Sequence, residues 1–116
     1  MGRRPSTDET STLTPLMFQI LLALSQGERH GYAIMQEIED RTEGAFTIGA
    51  GTLYRALKQL VDAELIAEGK AKPKVHSQRR YYRLTAAGRR RAAAEARVFN
   101  GMVTWAKDSS ILDASN

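Results

Sequence analysis

Residues 49–66, GAGTLYRALKQLVDAELI, repeat their apolar side chains at helical period and confine them to one stripe. Leu53, Leu57, Leu60 and Val61 stand at i, i+4, i+7 and i+8, so a helix here must lay that stripe on a core. At about 100° per residue, Gly51, Tyr54, Arg55, Lys58 and Asp62 collect on the opposite side. Two cations, a phenol and a backbone-exposing glycine suit the major groove of DNA, which admits one helix and offers acceptors to Arg and Lys. Taken alone, the stretch reads more plainly as an ordinary amphipathic helix with a solvated charged face. The residues downstream of it shift that balance.

A chain of 116 residues builds one compact domain and leaves little for a second. Its apolar and charged fractions, 42% and 26%, are those of a folded protein, which excludes global disorder. Cysteine is absent, so disulfides, thiolate zinc sites and cysteine nucleophiles are excluded, and a reducing cytoplasm is the fitting compartment. No stretch reaches the ~18 apolar residues of a membrane span, and the polar start MGRRPSTDETST is no signal peptide. The expectation is a soluble cytoplasmic protein, associated with the nucleoid and with no membrane partner. Charge is segregated: residues 69–94 hold nine Lys or Arg and no acid, whereas the rest of the chain sums to −5. Such a block points to a polyanionic partner, with a basic loop that touches nothing as the plainer alternative.

In chain order, residues 1–12 are polar and aperiodic and read as a mobile arm. Thr14 and Pro15 start a helix, a hydroxyl to cap and a proline at the first helical position. LMFQILLALS (16–25) is apolar nearly all round, so part of its cover is expected from a second subunit, and Gln26 and Gly27 end it. A second helix is expected from about His30 to Thr42, with Ala33 or Ile34 and then Ile38 inward and Glu37, Glu39, Asp40 and Glu43 outward. Tyr32 at its start either contacts a phosphate beside free amides or packs on the core while His30 caps the helix. EGAFTIGAG then joins this helix to residues 50–63, the form of a helix-turn-helix with the latter as reading helix. A dinucleotide-loop reading of GAG fails, because Tyr54 stands where the third glycine belongs and no βαβ strand precedes it.

LIAEG (65–69), a basic turn at 70–78 with Pro73, and RRYYRL (79–84) predict a hairpin with Tyr82 and Leu84 inward. A basic hairpin tip after a reading helix is how a wing follows a phosphate backbone or enters a minor groove. Thr85 caps a last helix, in which Arg89, Arg90, Arg91 and Arg97 are expected to keep one side solvated. Val98, Met102 and Trp105 form one apolar row and Phe99, Val103 and Ala106 another, an arc too wide for a monomer to cover. The helix is therefore expected to pair with its symmetry mate through Val98, Phe99, Met102, Val103 and Trp105. Asn100 and Gly101 weaken it mid-way. The division reads as an arm (1–12), a winged helix-turn-helix (13–84), a dimerisation helix (85–108) and a loose tail (109–116).

HGYAIMQEIEDRT, GAGTLYRALKQLVDAELI and RRYYRLTAAGRRR, in this order and spacing, resemble the PadR family of bacterial and archaeal transcriptional regulators over about residues 13–95. GTLYRAL followed by YYRLTAAG is the specific pair. The resemblance implies a mainly α fold with a two-stranded β-wing, a winged helix-turn-helix with a C-terminal dimerisation helix. It also implies a homodimer held by that helix and the first, bound to a pseudo-palindromic operator, usually as a repressor. The short single-helix tail is similar to the smaller subfamily. Carried over, GTLYRAL makes Gly51, Thr52, Tyr54, Arg55 and Lys58 groove-facing, and HGY makes Tyr32 a backbone contact. The basic wing nominates Lys72, Lys74, His76, Arg79 and Arg80.

Two departures stand out. Members often carry Ser or Thr with Pro before GTLY, where this chain has Gly49 and Ala50; they usually carry Gly before the Leu-Ile pair, where this chain has Glu64. A left-handed backbone at Glu64 would cost about 1 kcal/mol. Some relatives bind flat aromatic or multidrug ligands between the terminal helices, which makes Trp105, the single tryptophan, a candidate contact for an aromatic effector; interface packing is the plainer role. An alternative from another class is a winged-helix interaction module that docks an acidic partner without sequence-specific DNA binding. An enzyme is not expected: His30 and His76 stand alone, no nucleophile–base–acid set or metal-ligand spacing is present, and no cofactor is implied.

Overall fold

The computed structural model describes residues 13–69 and 79–113. The N-terminal arm, the wing-tip residues Lys72, Lys74 and His76, and positions 114–116 lie outside the described residues. Helix α1 (Pro15–Ala23) begins as expected, with the Thr14 hydroxyl accepting from the Met17 amide at 3.1 Å. It ends at Ala23, before the Gln26–Gly27 pair, because Leu24 already leaves helical geometry. Strand β1 (Arg29–His30) leads directly into α2 (Gly31–Arg41), and α3 (Ala50–Asp62) comes after an eight-residue connection. Strands β2 (Ile66–Gly69) and β3 (Tyr81–Leu84) precede α4 (Ala86–Asp108).

The sheet has three antiparallel strands in the order β1-β3-β2, one more than the expected two-stranded wing. Glu68 pairs with Tyr82 and Gly69 with Tyr81, while β1 adds Arg29 opposite Tyr82 and His30 opposite Tyr81. Two polar residues are too few to display strand alternation, so nothing in the sequence marks β1. It has a functional consequence: it fixes the start of α2 against the base of the wing.

The core is one cluster. Ile20, Leu21 and Leu24 of the first helical segment meet Ile34 and Ile38 of α2 and Leu53, Leu57 and Leu60 of α3, closed by Leu65, Ile66 and Tyr82. The α3 stripe is buried as its period required; Val61 is half-buried and Ala56 joins the inner face. Tyr82 is buried and Leu84 half-buried, on the side expected of them. Burial, with Glu68 as a second cause, raises the Tyr82 phenol above its usual range, so it stays neutral in the core.

Three helices end in the same way. Glu43, Glu64 and Ser110 take left-handed backbone angles, with φ of 54°, 66° and 65°. After α3, Leu65 donates to the Leu60 carbonyl and Glu64 to that of Val61, the paired bonds of a Schellman closure. Gly44 and Glu43 close α2, and Ile111 and Ser110 close α4, by the same pattern. Residues 109–112, expected to be loose, are thus held in a hydrogen-bonded turn.

The start of α4 is locked from several sides. The Thr85 hydroxyl accepts from the Gly88 amide at 2.9 Å and shares its hydrogen between the Glu64 and Leu65 carbonyls. Gly88 is pressed so closely against the Leu65 carbonyl that a Cβ would collide with it. Of the arginines expected in solvent, Arg89 remains exposed while Arg91 is covered. Arg89 donates to the Ser25 carbonyl at 3.1 Å, and Arg91 pairs with Glu95 at 3.0 Å with both side chains largely covered. Asn100 and Gly101 leave α4 continuous to Asp108.

Candidate nucleic-acid interface

Burying Leu53, Leu57 and Leu60 turns Gly51, Thr52, Tyr54, Arg55 and Lys58 outward, and all five are exposed. Gly49 precedes the helix in extended conformation and supplies no side-chain cap, so the first amides of α3 have no side-chain acceptor there. Arg55 makes no hydrogen bond or ion pair among the described residues, whereas Lys58 lies 3.5 Å from the Asp62 carboxylate on the next turn. Exposed pairs of this kind contribute little to stability, so Lys58 is readily released to another anion.

Tyr54 does more than face outward. Its phenol lies over Gly31 at the start of α2, so closely that a Cβ on Gly31 would meet the hydroxyl and its ring carbon. This contact joins α3 to the HGY segment. Tyr32 next to it is 62% exposed, which removes the core-packing reading. The other half of that reading holds: Nδ1 of His30 accepts from the Ala33 amide at 3.2 Å and caps α2.

His30, Gly31, Tyr32, Tyr54, Arg79 and Arg80 line an open cleft of about 280 Å³. Arg79 Nη1 lies 2.7 Å from His30 Nε2, and Arg80 donates to Glu68 at 3.0 Å across the hairpin. The Tyr81 ring meets His30 edge-on at 5.3 Å between centroids. Partial burial, and then the Arg79 guanidinium, hold the His30 imidazole below the ordinary histidine range. The structure thus gathers Tyr32, Tyr54, Arg79 and Arg80 around one cleft beside Arg55 and Lys58. His30 joins them, a residue that its sequence context marks only as a cap; the strand that brings it there leaves no periodic signal.

Among the residues expected at a dimer face, Val98, Phe99, Met102 and Val103 are exposed and Trp105 is 70% exposed. Phe99 is partly engaged within its own chain, stacked on Phe18 of α1 at 5.1 Å. A second groove, of about 320 Å³, runs between α1 and α2 past Gln19, Leu22, Arg29, Glu37 and Arg41; neither cavity includes Trp105. No group of His, Asp and Glu among the described residues is arranged to hold a metal ion, and no helix among them is long and apolar enough to cross a membrane.

The family model of the PadR-like transcriptional regulators matches residues 20–94, from within α1 to the first turns of α4. The chain belongs to the PadR-like family. Members of that family are transcription regulators, not enzymes. An uncharacterized protein of Lysinibacillus sphaericus is 32% identical over 94 residues, 81% of each chain. Two solved structures are similar in fold. A PadR family transcription regulator from Clostridium difficile R20291 has a TM-score of 0.70 at 22% identity over 82% of this chain and 97% of its own. PadR of Bacillus subtilis, solved in complex with operator DNA, has a TM-score of 0.63 at 23% identity over 72% of this chain and 47% of its own. These likenesses agree with a winged-helix fold for the PadR-like chain.

Proposed function

We propose that this PadR-like chain binds DNA sequence-specifically as a homodimer on a pseudo-palindromic operator and acts as a repressor. One observation carries the reading. The exposed side of α3 presents Arg55, unpartnered among the described residues, next to Lys58, Thr52 and the Gly51 backbone, and adjoins a cleft of tyrosines and arginines at the root of the wing. Arg55 and Lys58 read base edges or the phosphates beside them, Tyr32, Tyr54, Arg79 and Arg80 hold the backbone, and Lys72, Lys74 and His76 extend that contact along the wing. The apolar rows of α4, with exposed Leu22 on α1, suit pairing with a second copy, which sets the spacing of two half-sites. Trp105 in that interface is the place for a flat aromatic effector that releases the DNA.

The test is a salt titration of binding to the DNA upstream of the protein's own gene, against a duplex of random sequence. The expected result is a steep fall of affinity with salt and a preference for the upstream duplex of at least ~10³-fold. Weak binding, equal on both, would remove the sequence-specific reading and favour a module that docks an acidic protein partner.

A further inference from the structure

His30 stands where two neighbours make incompatible demands on one imidazole. The Ala33 amide donates to Nδ1 at 3.2 Å, and a guanidinium nitrogen of Arg79 lies 2.7 Å from Nε2. Both neighbours present only N–H groups, whereas a neutral imidazole has a single bare nitrogen and a protonated one has none. Whichever ring nitrogen carries the proton, one contact sets donor against donor. The Ala33 amide is held by the first turn of α2, while Arg79 is an exposed side chain outside any strand. The bare nitrogen therefore stays with Ala33, and Nε2–H faces the Arg79 guanidinium.

Two donors set this close are reconciled by an acceptor that both can reach, and none of the side chains lining the cleft is acidic. Glu68 is committed to Arg80, and the Glu28 carboxylate lies against Gly69. The remaining walls are the Tyr32 and Tyr54 side chains and Arg80, which add hydroxyl and guanidinium donors around the same space.

We propose that His30 is a phosphate ligand on the DNA-binding face, its Nε2–H and the Arg79 guanidinium sharing one non-bridging oxygen of a DNA backbone phosphate. This rests on the DNA-binding reading above and adds to it a ligand and a division of labour within one side chain. Nδ1 caps α2 and Nε2–H holds the phosphate, so the neutral ring performs both tasks. An oxygen between the two donors parts them and removes the conflict present in the free protein. The contact is sequence-independent, because every nucleotide carries the same phosphate.

Asparagine separates the two tasks, since its carboxamide oxygen caps a helix well but its amide does not reach as far as Nε2. For His30→Asn we expect a melting temperature close to that of the native chain and affinity for a random duplex at low salt reduced about tenfold, the loss of one hydrogen bond to a charged group. The slope of log affinity against log salt should stay unchanged, because a neutral donor displaces no counterion; Arg79→Gln should lower that slope by about 0.9. Native-like affinity in a folded His30→Asn protein would overturn the assignment and leave DNA binding standing. Absence of duplex binding by the native chain would overturn both. Nitrogen NMR of the His30 ring gives a second reading that needs no variant. Adding duplex should shift the Nε2–H signal while Nδ1 keeps its bare-nitrogen shift, and an unmoved Nε2 signal counts against the proposal.

Discussion

Glu64 closes α3 at a position whose φ of 66° glycine tolerates and a branched or long side chain resists. Glu64→Gly should therefore raise stability by about 1 kcal/mol, read as a higher denaturant midpoint with an unchanged slope. Arg55 has the opposite character, exposed and unpartnered among the described residues, so little of the fold depends on it. Arg55→Ala should leave the melting temperature unmoved, cost ~1–3 kcal/mol on the preferred duplex and relax specificity at one position. Equal losses on preferred and random duplex would remove its reading role. His30 links pH to stability. Folding lowers its proton affinity, so the unfolded chain binds more protons as the pH falls through the ordinary value of 6.5. Its contribution is complete above that value and is lost below it, when a proton on Nδ1 would displace the Ala33 amide. Thermal melts at pH 7.5 and 5.5 should show a loss on acidification that is smaller in His30→Asn.

At the scale of elements, α4 approaches the residue before β2 closely. Gly88 is packed against the Leu65 carbonyl and the Leu84 side chain, and backbone cannot yield as a side-chain tip can. Gly88→Ala should destabilise the protein by about 3 kcal/mol, at the upper end for overpacking, measured by denaturant unfolding. The helices were legible because each carries its own periodic stripe: α3 declared both its buried and its outward side, and Thr14 and Thr85 declared two starts. What the sequence could not disclose depends on distant partners. Strand β1 exists only because Tyr81 and Tyr82 pair with it, and Arg89 finds the Ser25 carbonyl only through the fold. The candidate site divides in the same way. Arg55 and Lys58 follow from helical geometry, whereas His30 enters only through the pairing that sets it beside Arg79.

On the scale of the whole molecule, the apolar side of α4 is exposed, as the proposed pairing with a second copy requires. Replacing both Val98 and Met102 by Glu should leave the winged-helix body folded and halve the molar mass measured by light scattering. Affinity for a two-half-site duplex should fall toward that for a single half-site. An unchanged mass would place the pairing surface elsewhere. The anchoring of α4 carries a mechanical consequence for the proposed dimer. Its first turns are clamped to the body by Gly88 and Arg89 and its middle by Phe99 on Phe18, yet it runs for 23 residues, a rod of about 34 Å. A rod held so firmly at one end acts as a lever. A tilt of about 10° where two such rods cross near Met102, about 21 Å along the helix from Gly88, would displace each body by about 3.7 Å, close to the ~3.4 Å between successive bases. A ligand that wedges the crossing could therefore put the protein out of step with its operator without touching the surface that reads it.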